Sequence, residues 1–298
     1  MSAAHSAGAL EPPPAQAVAA DVARALEEDV GSGDLTASLV PAERRVTATI
    51  VCREEAVLCG QPWVTEVLRQ VAPGAQARWH LQDGERTAPG AKVVEIDGPA
   101  RALLTAERCC LNFLQTLSAV ATRTARYVDA VRGTRAAILD TRKTIPGLRQ
   151  AQKYAVRCGG GSNHRMGLFD AVLIKENHIA AAGGLTAAFR AAQALAATRP
   201  VAFIQVEVET LTQLQEALDA GVTMVLLDNM PLETLREAVR MAGGRCSLEI
   251  SGGVTLERLH ELAATGVDRI SVGALIKDIQ AVDFSMRFSE RPVERGSR

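Results

Sequence analysis

The chain has 298 residues, 47% of them hydrophobic and 22% charged, which is enough for two domains with a large buried core. Its 33 basic and 34 acidic residues give a net charge of −1, and only 3% of residues are aromatic, so global charge and base stacking argue against a nucleic-acid-binding protein. No apolar run approaches the roughly 18 residues of a membrane span. The Ala- and Pro-rich start lacks the features of a signal peptide, so we expect a cytoplasmic protein without a membrane partner.

The N-terminal part predicts an α+β domain with a small, largely antiparallel sheet. Val18, Val22 and Leu26 recur at helical spacing within a predicted helix over 18–29. Four strands separated by turn signals follow at 46–52, 56–59, 77–81 and 92–96. A long helix over about 100–131 carries Glu107 and Arg108 in or beside its apolar stripe, where a charged residue needs a partner or a ligand.

From residue 137 onward, short apolar runs alternate with helical segments. The runs are 136–139, 171–174, 203–208, 224–227, 247–250 and 269–272. The last four are about 21–23 residues apart, which is the length of one strand plus one helix in parallel βα units. Six or seven such units predict a closed or nearly closed α/β barrel. A doubly wound open sheet is the alternative, weakened because no G-x-G-x-x-G follows the first strand.

Polar or glycine-rich groups follow every predicted strand of this second part, where α/β barrels place their active sites. From Asp140 to His178 there are seven basic and three acidic residues, an excess of four positive charges. Arginine binds carboxylates and phosphates with two parallel hydrogen bonds, so this stretch predicts a site for a small polyanion. Arg149, Lys153 and Arg157 lie at i, i+4 and i+8 and also fit a solvated helix face. The basic residues that do not share one helix fit that interpretation poorly: Arg142, Lys143, Arg165 and Lys175.

The later strand ends predict phosphate and metal binding. Ser251-Gly252-Gly253 and Gly273-Ala274 follow the last two strands, where barrels commonly bind phosphate through backbone N–H groups, although glycines also serve as simple turns. Glu207 and Asp228 end the middle strands and suggest a Mg²⁺ site, with ion pairs to lysines as the alternative.

The six cysteines predict no metal or redox site. They are Cys52, Cys59, Cys109, Cys110, Cys158 and Cys246. None forms a C-x-x-C pair, so we expect reduced thiols, as is usual in the cytosol.

Nine segments of the chain resemble those of the quinolinate phosphoribosyltransferases, the decarboxylating nicotinate-nucleotide pyrophosphorylases. The matching segments are EDVGSGDLT (28–36), AERCCLNFLQTLSAVAT (106–122), DTRKTIPGLR (140–149), KYAVRCGGGSNHRMGLFD (153–170), IKENH (174–178), VEVE (206–209), LLDN (226–229), SGG (251–253) and GVDRISVGAL (266–275). They span nearly the whole chain after the first two dozen residues, and DTRKT, GGGSNHR and SGG together are highly specific.

The resemblance implies an N-terminal α/β sandwich domain, 1–120, and an open, incomplete α/β barrel, 121–279, with the tail 280–298 packing back onto the first domain. It also implies a homodimer or a multiple of dimers. In this family the N-terminal domain of one subunit closes the barrel mouth of the other, and Arg108 matches the arginine donated across that interface.

The resemblance further implies the reaction of quinolinate with phosphoribosyl pyrophosphate, with Mg²⁺, to give nicotinate mononucleotide, pyrophosphate and CO₂ in NAD biosynthesis. The residues implied for quinolinate are Arg108, Arg142, His164, Arg165 and Lys175. Those implied for phosphoribosyl pyrophosphate are Lys143, Glu207, Asp228, Ser251, Gly252, Gly253, Gly273 and Ala274. The expected catalytic set is Lys143, Lys175, Glu207 and Asp228, of which Glu207 and Asp228 would hold the metal, directly or through water.

Two positions depart from the family pattern. Ile145 stands where threonine is common, and its apolar side chain suggests packing. Lys277 stands in a segment that often reads Thr-His-Ser, and it could still contact phosphate. Two alternative functions remain: a related transferase for another ring acid or a paralogue associated with molybdenum transport, and a non-catalytic sensor of a phosphate ligand.

Overall fold

The structure, a computed structural model, describes residues 10–289. Residues 1–9 of the predicted lead-in and residues 290–298 of the predicted tail lie outside this range. Within them the helices are α1 (Ala15–Asp29), α2 (Gln61–Val71), α3 (Ala100–Ala130), α4 (Arg149–Cys158), α5 (Glu176–Ala182), α6 (Leu185–Ala196), α7 (Leu211–Asp219), α8 (Leu232–Ala242), α9 (Leu259–Ala263) and α10 (Ala274–Lys277).

The strands confirm the predicted order of elements, with shifted ends. They are β1 (Arg45–Cys52), β2 (Ala56–Val57), β3 (Gln76–Trp79), β4 (Arg86–Thr87), β5 (Lys92–Pro99), β6 (Ala137–Leu139), β7 (Val172–Ile174), β8 (Ile204–Val208), β9 (Met224–Asp228), β10 (Ser247–Ser251), β11 (Arg269–Ser271) and β12 (Phe284–Ser289). The sequence prediction missed β4, since two residues carry no readable alternation. It extended the second strand to residue 59, whereas β2 ends at Val57, shortly before Gly60 turns the chain into α2 with a φ of 135°.

The described residues form two compact units. The first comprises 10–123, 145–160 and 278–289, and the second comprises 124–144 and 161–277. The predicted division after residue 120 lies close to the first break. Residues 145–160, which contain α4 and which the sequence division placed in the barrel, group instead with the first unit.

The first unit is built on an antiparallel sheet in the order β12-β1-β5-β3, with β2 and β4 forming a separate pair. Alternate residues of β1 are buried, as expected for a strand with one face on the core. Trp63 on α2 is fully buried near the Phe113 and Tyr154 rings, and its indole N–H donates to Asp21 at 3.1 Å. At the end of the described chain, β12 pairs antiparallel with β1, so residues 284–289 form an edge strand of this sheet.

The second unit is a sheet of six parallel strands in the order β6-β11-β10-β9-β8-β7. From β7 to β11 the strands are neighbours in chain order, and β6 lies beside β11 as in a barrel. The order does not reverse around the first strand, so the doubly wound alternative is wrong. In the described part of the chain no ladder joins β6 to β7, and the barrel is therefore open, as predicted. A single bridge between Leu139 and Ser162 lies at that gap.

No single helix among residues 10–289 has the length and apolar composition needed to cross a bilayer. The α5 and α6 helices meet that test only when they are joined, and they are bent by 92° relative to each other.

Candidate active site

A cavity of about 380 Å³ lies in the second unit and brings together most of the predicted site residues. Its walls include Arg142, Lys143, His164, Arg165, Lys175, Glu207, Asp228, Ser251 and Gly252. Several lining residues come in pairs two positions apart, such as Leu226 with Asp228 and Glu249 with Ser251. Residues i and i+2 of a strand share a face, so the cavity sits on the inner face of the sheet, toward the carboxyl ends of its strands.

The basic side of the cavity contains Arg142, Lys143 and Arg165. Burial, and after it the positive charge of Arg142, lowers the pKa of Arg165 below the usual arginine value, while Asp170 opposes this shift. Two guanidinium groups are therefore held near each other at an energetic cost. A bound anion removes that repulsion, so the arrangement favours a ligand with carboxylate or phosphate groups.

The acidic side is formed by two carboxylates at the ends of neighbouring strands. Glu207 on β8 is buried, and its Oε2 accepts a hydrogen bond from Lys175 Nζ at 2.6 Å. Asp228 ends β9, and its Oδ2 accepts from Asn229 Nδ2 at 3.0 Å. The ion pair between Lys175 and Glu207 is the alternative to a Mg²⁺ site that the sequence left open. Carboxylate oxygens on adjacent strands also match the ligands that Mg²⁺ prefers.

The glycine-rich side needs glycine for steric reasons. Gly252 has a φ of +86°, and a Cβ there would lie 2.0 Å from Asn229 Oδ1. At Gly273 a Cβ would lie 3.0 Å from Lys143 Cδ, so the lysine stem packs directly over this backbone. Ala274 begins α10, immediately after Gly273. Bare backbone at these two strand ends allows close approach of a phosphate group.

The loop before β7 is held by a buried carboxylate. Asp140, at the end of β6, is fully buried and accepts from Asn163 Nδ2 at 2.6 Å and from the His164 backbone N–H at 2.9 Å. At the other end of β7, the backbone N–H of Lys175 donates to His178 Nδ1 at 3.0 Å and starts α5. These contacts fix the backbone that presents Arg165 and Lys175.

His164 lines the cavity, but both ring nitrogens have protein partners. Nδ1 accepts the Arg165 backbone N–H at 2.7 Å, so Nε2 carries the proton and donates to Gln205 Oε1 at 2.9 Å. The ring also packs edge-on against Phe203, with the centroids 5.3 Å apart. His164 therefore orients the backbone of Arg165 and, in this structure, directs neither nitrogen toward a ligand.

Beneath His164 lies a buried polar network that the sequence reading missed. Glu249 is fully buried and accepts hydrogen bonds from Gln205 at 3.1 Å, from Arg269 at 3.0 Å and from the Ser271 hydroxyl. All four residues belong to strands, whereas the site residues predicted from the sequence lie at strand ends or in the loops that follow them. The available signal was the polar residues within three of the six apolar runs, 203–208, 247–250 and 269–272, since buried polar groups need partners.

Several predicted residues lie outside the cavity lining. Arg108 is exposed on α3 in the first unit. Lys277 is exposed at the end of α10. Two interpretations were wrong. Lys153 is fully buried, so it does not belong to a solvated helix face, because α4 packs within the first unit. Ile145 is 37% exposed, so its apolar side chain is not packed into a core.

All six cysteines are free thiols and buried, in agreement with the prediction of reduced cysteines.

Comparisons with known proteins agree with the resemblance read from the motifs. The family model for the quinolinate phosphoribosyl transferase N-terminal domain matches residues 34–118, and that for the C-terminal domain matches residues 120–287. A probable nicotinate-nucleotide pyrophosphorylase [carboxylating] of Bacillus subtilis is 41% identical over 87% of this chain and 89% of its own length. The nicotinate-nucleotide pyrophosphorylase [carboxylating] of Mycobacterium leprae is 44% identical over 89% of this chain and 95% of its own.

A solved structure of the nicotinate-nucleotide pyrophosphorylase from Francisella tularensis superimposes with a TM-score of 0.89 at 42% identity, covering 94% of this chain and 99% of the other. Both domain models match in order and together cover most of the chain. The chain belongs to the quinolinate phosphoribosyltransferase family.

Proposed function

We propose that this protein transfers the phosphoribosyl group of phosphoribosyl pyrophosphate to quinolinate, releasing pyrophosphate and CO₂ and forming nicotinate mononucleotide. The observation that carries the proposal is the composition of one cavity. Its walls combine several cationic side chains, the two carboxylates Glu207 and Asp228, and the glycine-rich end of β10. Such a cavity suits a dicarboxylate and a pyrophosphate together.

Quinolinate would bind at the basic side. Its two carboxylates match the guanidinium groups of Arg142 and Arg165, which lie close enough for the charge of Arg142 to lower the pKa of Arg165. Lys175, already paired with Glu207, adds a third cation close by. His164 supports this side by holding the Arg165 backbone.

Phosphoribosyl pyrophosphate would bind along the glycine-rich strand ends. Lys143 packs over Gly273, so its ammonium group is close to backbone that a phosphate can approach. Ser251, Gly252, Gly253 and Ala274 would supply further backbone and hydroxyl contacts. Glu207 and Asp228 line the same cavity, and Asp228 is the register partner of Ser251 at the end of β10, so these carboxylates would stabilise the positive charge that develops on the ribose when pyrophosphate leaves.

Mg²⁺ fits the donor set of this cavity. Glu207 and Asp228 offer hard carboxylate oxygens at the ends of adjacent strands, and we propose that they hold the ion directly or through water. When bound, the ion neutralises charge on the departing pyrophosphate.

The bond changes follow from the substrates. The pyridine nitrogen lone pair forms the bond to the ribose C1 as the bond to pyrophosphate oxygen breaks. The ring nitrogen is then quaternised, and its positive charge stabilises the electron pair left on the neighbouring ring carbon when the carboxylate departs as CO₂. A proton then adds to that carbon. The protein's task is to hold both anions in reacting geometry and to exclude competing water.

Release of labelled CO₂ from carboxyl-labelled quinolinate tests the proposal. We expect CO₂ only when quinolinate, phosphoribosyl pyrophosphate and Mg²⁺ are all present, and none after chelation of the metal. Faster turnover of nicotinate than of quinolinate would favour a transferase for another ring acid. Tight binding of phosphoribosyl pyrophosphate without turnover of either acid would favour a sensor.

The resemblance also supports a shared site, in which Arg108 of the partner subunit completes the carboxylate clamp of a homodimer or a multiple of dimers. We expect Arg108→Ala and Arg142→Ala to be inactive when assayed separately. After subunit exchange, half of the dimers are mixed and each has one intact site, so activity should recover to about a quarter of the wild-type value. Exchange demonstrated by mass labelling without recovery would count against a site shared between subunits.

A further inference from the structure

Three potential metal ligands from separate segments meet inside the first unit, in a place that the proposed reaction does not use. Cys59 follows β2, Asp83 precedes β4, and Cys158 is the last residue of α4. Their two sulfur atoms and a carboxylate oxygen all lie within 4.8 Å of one another. Neither thiol belongs to a C-x-x-C motif, so the cluster exists only in the folded chain.

The carboxylate of this cluster is held in a fixed orientation. Asp83 Oδ1 accepts the backbone N–H groups of Gly60 at 2.9 Å and Gln61 at 3.2 Å. Asp83 Oδ2 accepts the hydroxyl of Tyr154 at 2.9 Å. Metal-binding carboxylates are commonly oriented by such outer hydrogen bonds, which restrict the ligand before the ion arrives.

Without a bound ion, burial disfavours negative charge in this cluster, and an ion would have to displace protons from its thiols. Burial, followed by contact with Cys158 and the negative charge of Asp83, raises the pKa of the Cys59 thiol well above its ordinary value. Burial also raises the pKa of Asp83. Arg157 lies nearby, with its guanidinium 5.5 Å from the centre of the Tyr154 ring. Two thiolates and one carboxylate carry three negative charges, which one divalent ion and Arg157 would balance.

We propose that Cys59, Asp83 and Cys158 form a binding site for Zn²⁺. Thiolate sulfur selects zinc over the hard cations Mg²⁺ and Ca²⁺, and donors this close together require only small movements to reach tetrahedral spacing. Asp83 is the partly exposed member of the three, so a water molecule entering on its side supplies the fourth ligand.

The bound ion would join three segments of the first unit: the turn after β2, the turn before β4 and the end of α4. Binding displaces one proton from each thiol, so two protons are released per Zn²⁺ and the affinity rises with pH. Because an ion held only by the folded chain stabilises it, Zn²⁺ should raise the temperature of thermal unfolding.

The first experiment uses the full-length wild-type protein, reduced, stripped with a chelator and titrated with Co²⁺ as a spectroscopic substitute for Zn²⁺. We expect one equivalent to produce the intense near-ultraviolet charge-transfer band of thiolate-bound cobalt, and Zn²⁺ to abolish it. The carboxylates Glu207 and Asp228 cannot produce that band. Absence of the band in the wild-type protein overturns the proposal without reliance on any variant.

The second experiment compares variants by metal analysis after dialysis against Zn²⁺. Cys158→Ala and the more conservative Asp83→Asn should lose the zinc retained by the wild-type protein, together with its stabilising effect. Cys246→Ala, which removes a buried thiol outside the cluster, should keep both. Equal zinc content in the wild-type protein and the three variants overturns the proposal. A second result would also overturn it: a Cys59–Cys158 disulfide in protein isolated without reductant, together with no cobalt band after that disulfide is reduced.

Discussion

The two sheets differ in how deeply their polar residues are buried. In the first unit, β1 alternates buried and more exposed residues, so its polar side chains can reach water. In the second unit, β8 and β10 are buried along most of their length and still contain Gln205, Glu207 and Glu249. A polar residue in a strand that is buried on both faces needs a protein or ligand partner.

The difference explains where the chemistry lies. Along the parallel strands, polar side chains on the inner face lead from the buried network around Glu249 up to the cavity lined by Glu207 and Asp228. The antiparallel sheet has no single edge at which the carboxyl ends of all its strands meet, because neighbouring strands run in opposite directions. Apart from Arg108, which is proposed to act in the site of a partner subunit, substitutions in the first unit should therefore affect folding, and those in the cavity of the second unit should affect catalysis.

The largest effect on stability is expected from Trp63→Ala in the first unit. The indole is fully buried and donates to Asp21, so its removal should lower the free energy of unfolding by about 3–5 kcal/mol. Urea denaturation measures this change, and Trp79→Ala, at the partly exposed second tryptophan, is the control. A folded Trp63→Ala protein with normal stability but lost activity would contradict the separation of roles.

The corresponding substitution in the second unit is Arg165→Ala. Loss of this partly buried guanidinium, which is proposed to pair with a substrate carboxylate, should cost about 2–5 kcal/mol of binding, which is roughly a 30- to 5,000-fold loss in kcat/KM for quinolinate. Steady-state kinetics and a parallel denaturation curve measure the two quantities. Arg78→Ala, at an exposed arginine of the first unit, should leave kcat/KM unchanged. A similar loss in both variants would indicate a general charge effect.

A smaller effect is expected at the end of β10. Gly252→Ala introduces a Cβ 2.0 Å from Asn229 Oδ1 at a positive φ, which should cost about 1–3 kcal/mol and raise the KM for phosphoribosyl pyrophosphate. Gly243→Ala is the matched control, since its φ is also positive, the nearest atom, on Arg240, is 3.8 Å away, and no substrate contact is assigned to it. Equal KM values for the two variants would show that the contact with Asn229 has no bearing on binding.

The smallest effect concerns pH and the outer face of the first sheet. Hydrogen bonds from His80 and then Lys92, with the nearby charge of Arg78, lower the pKa of Glu95 to about 2. A carboxylate whose pKa is depressed on folding stabilises the protein above its unfolded pKa, and this contribution disappears as the pH falls toward 2. Glu95→Gln should flatten the fall in unfolding free energy between pH 5 and pH 2. Glu43→Gln, at an exposed carboxylate, should leave that slope as it is in the wild type.

Much of the second unit could be predicted because buried parallel strands appear as short apolar runs with polar endings. Arg142, Lys175, Glu207 and Asp228 were found from those endings alone. Glu249 and Gln205 were missed because their partners depend on the packing of neighbouring strands, which the sequence does not show. The burial of Lys153 could not be read from helical spacing either, since it depends on the association of α4 with the first unit.

The pairing of β12 with β1 has a consequence for synthesis on the ribosome. Until residues 284–289 emerge, β1 has only β5 as a neighbour, and its other edge carries unpaired backbone groups. All of the six-stranded sheet is translated in that interval. The nascent first unit therefore has an open strand edge while the second unit is made. During this interval the unpaired edge of β1 is exposed to misassembly and to chaperones.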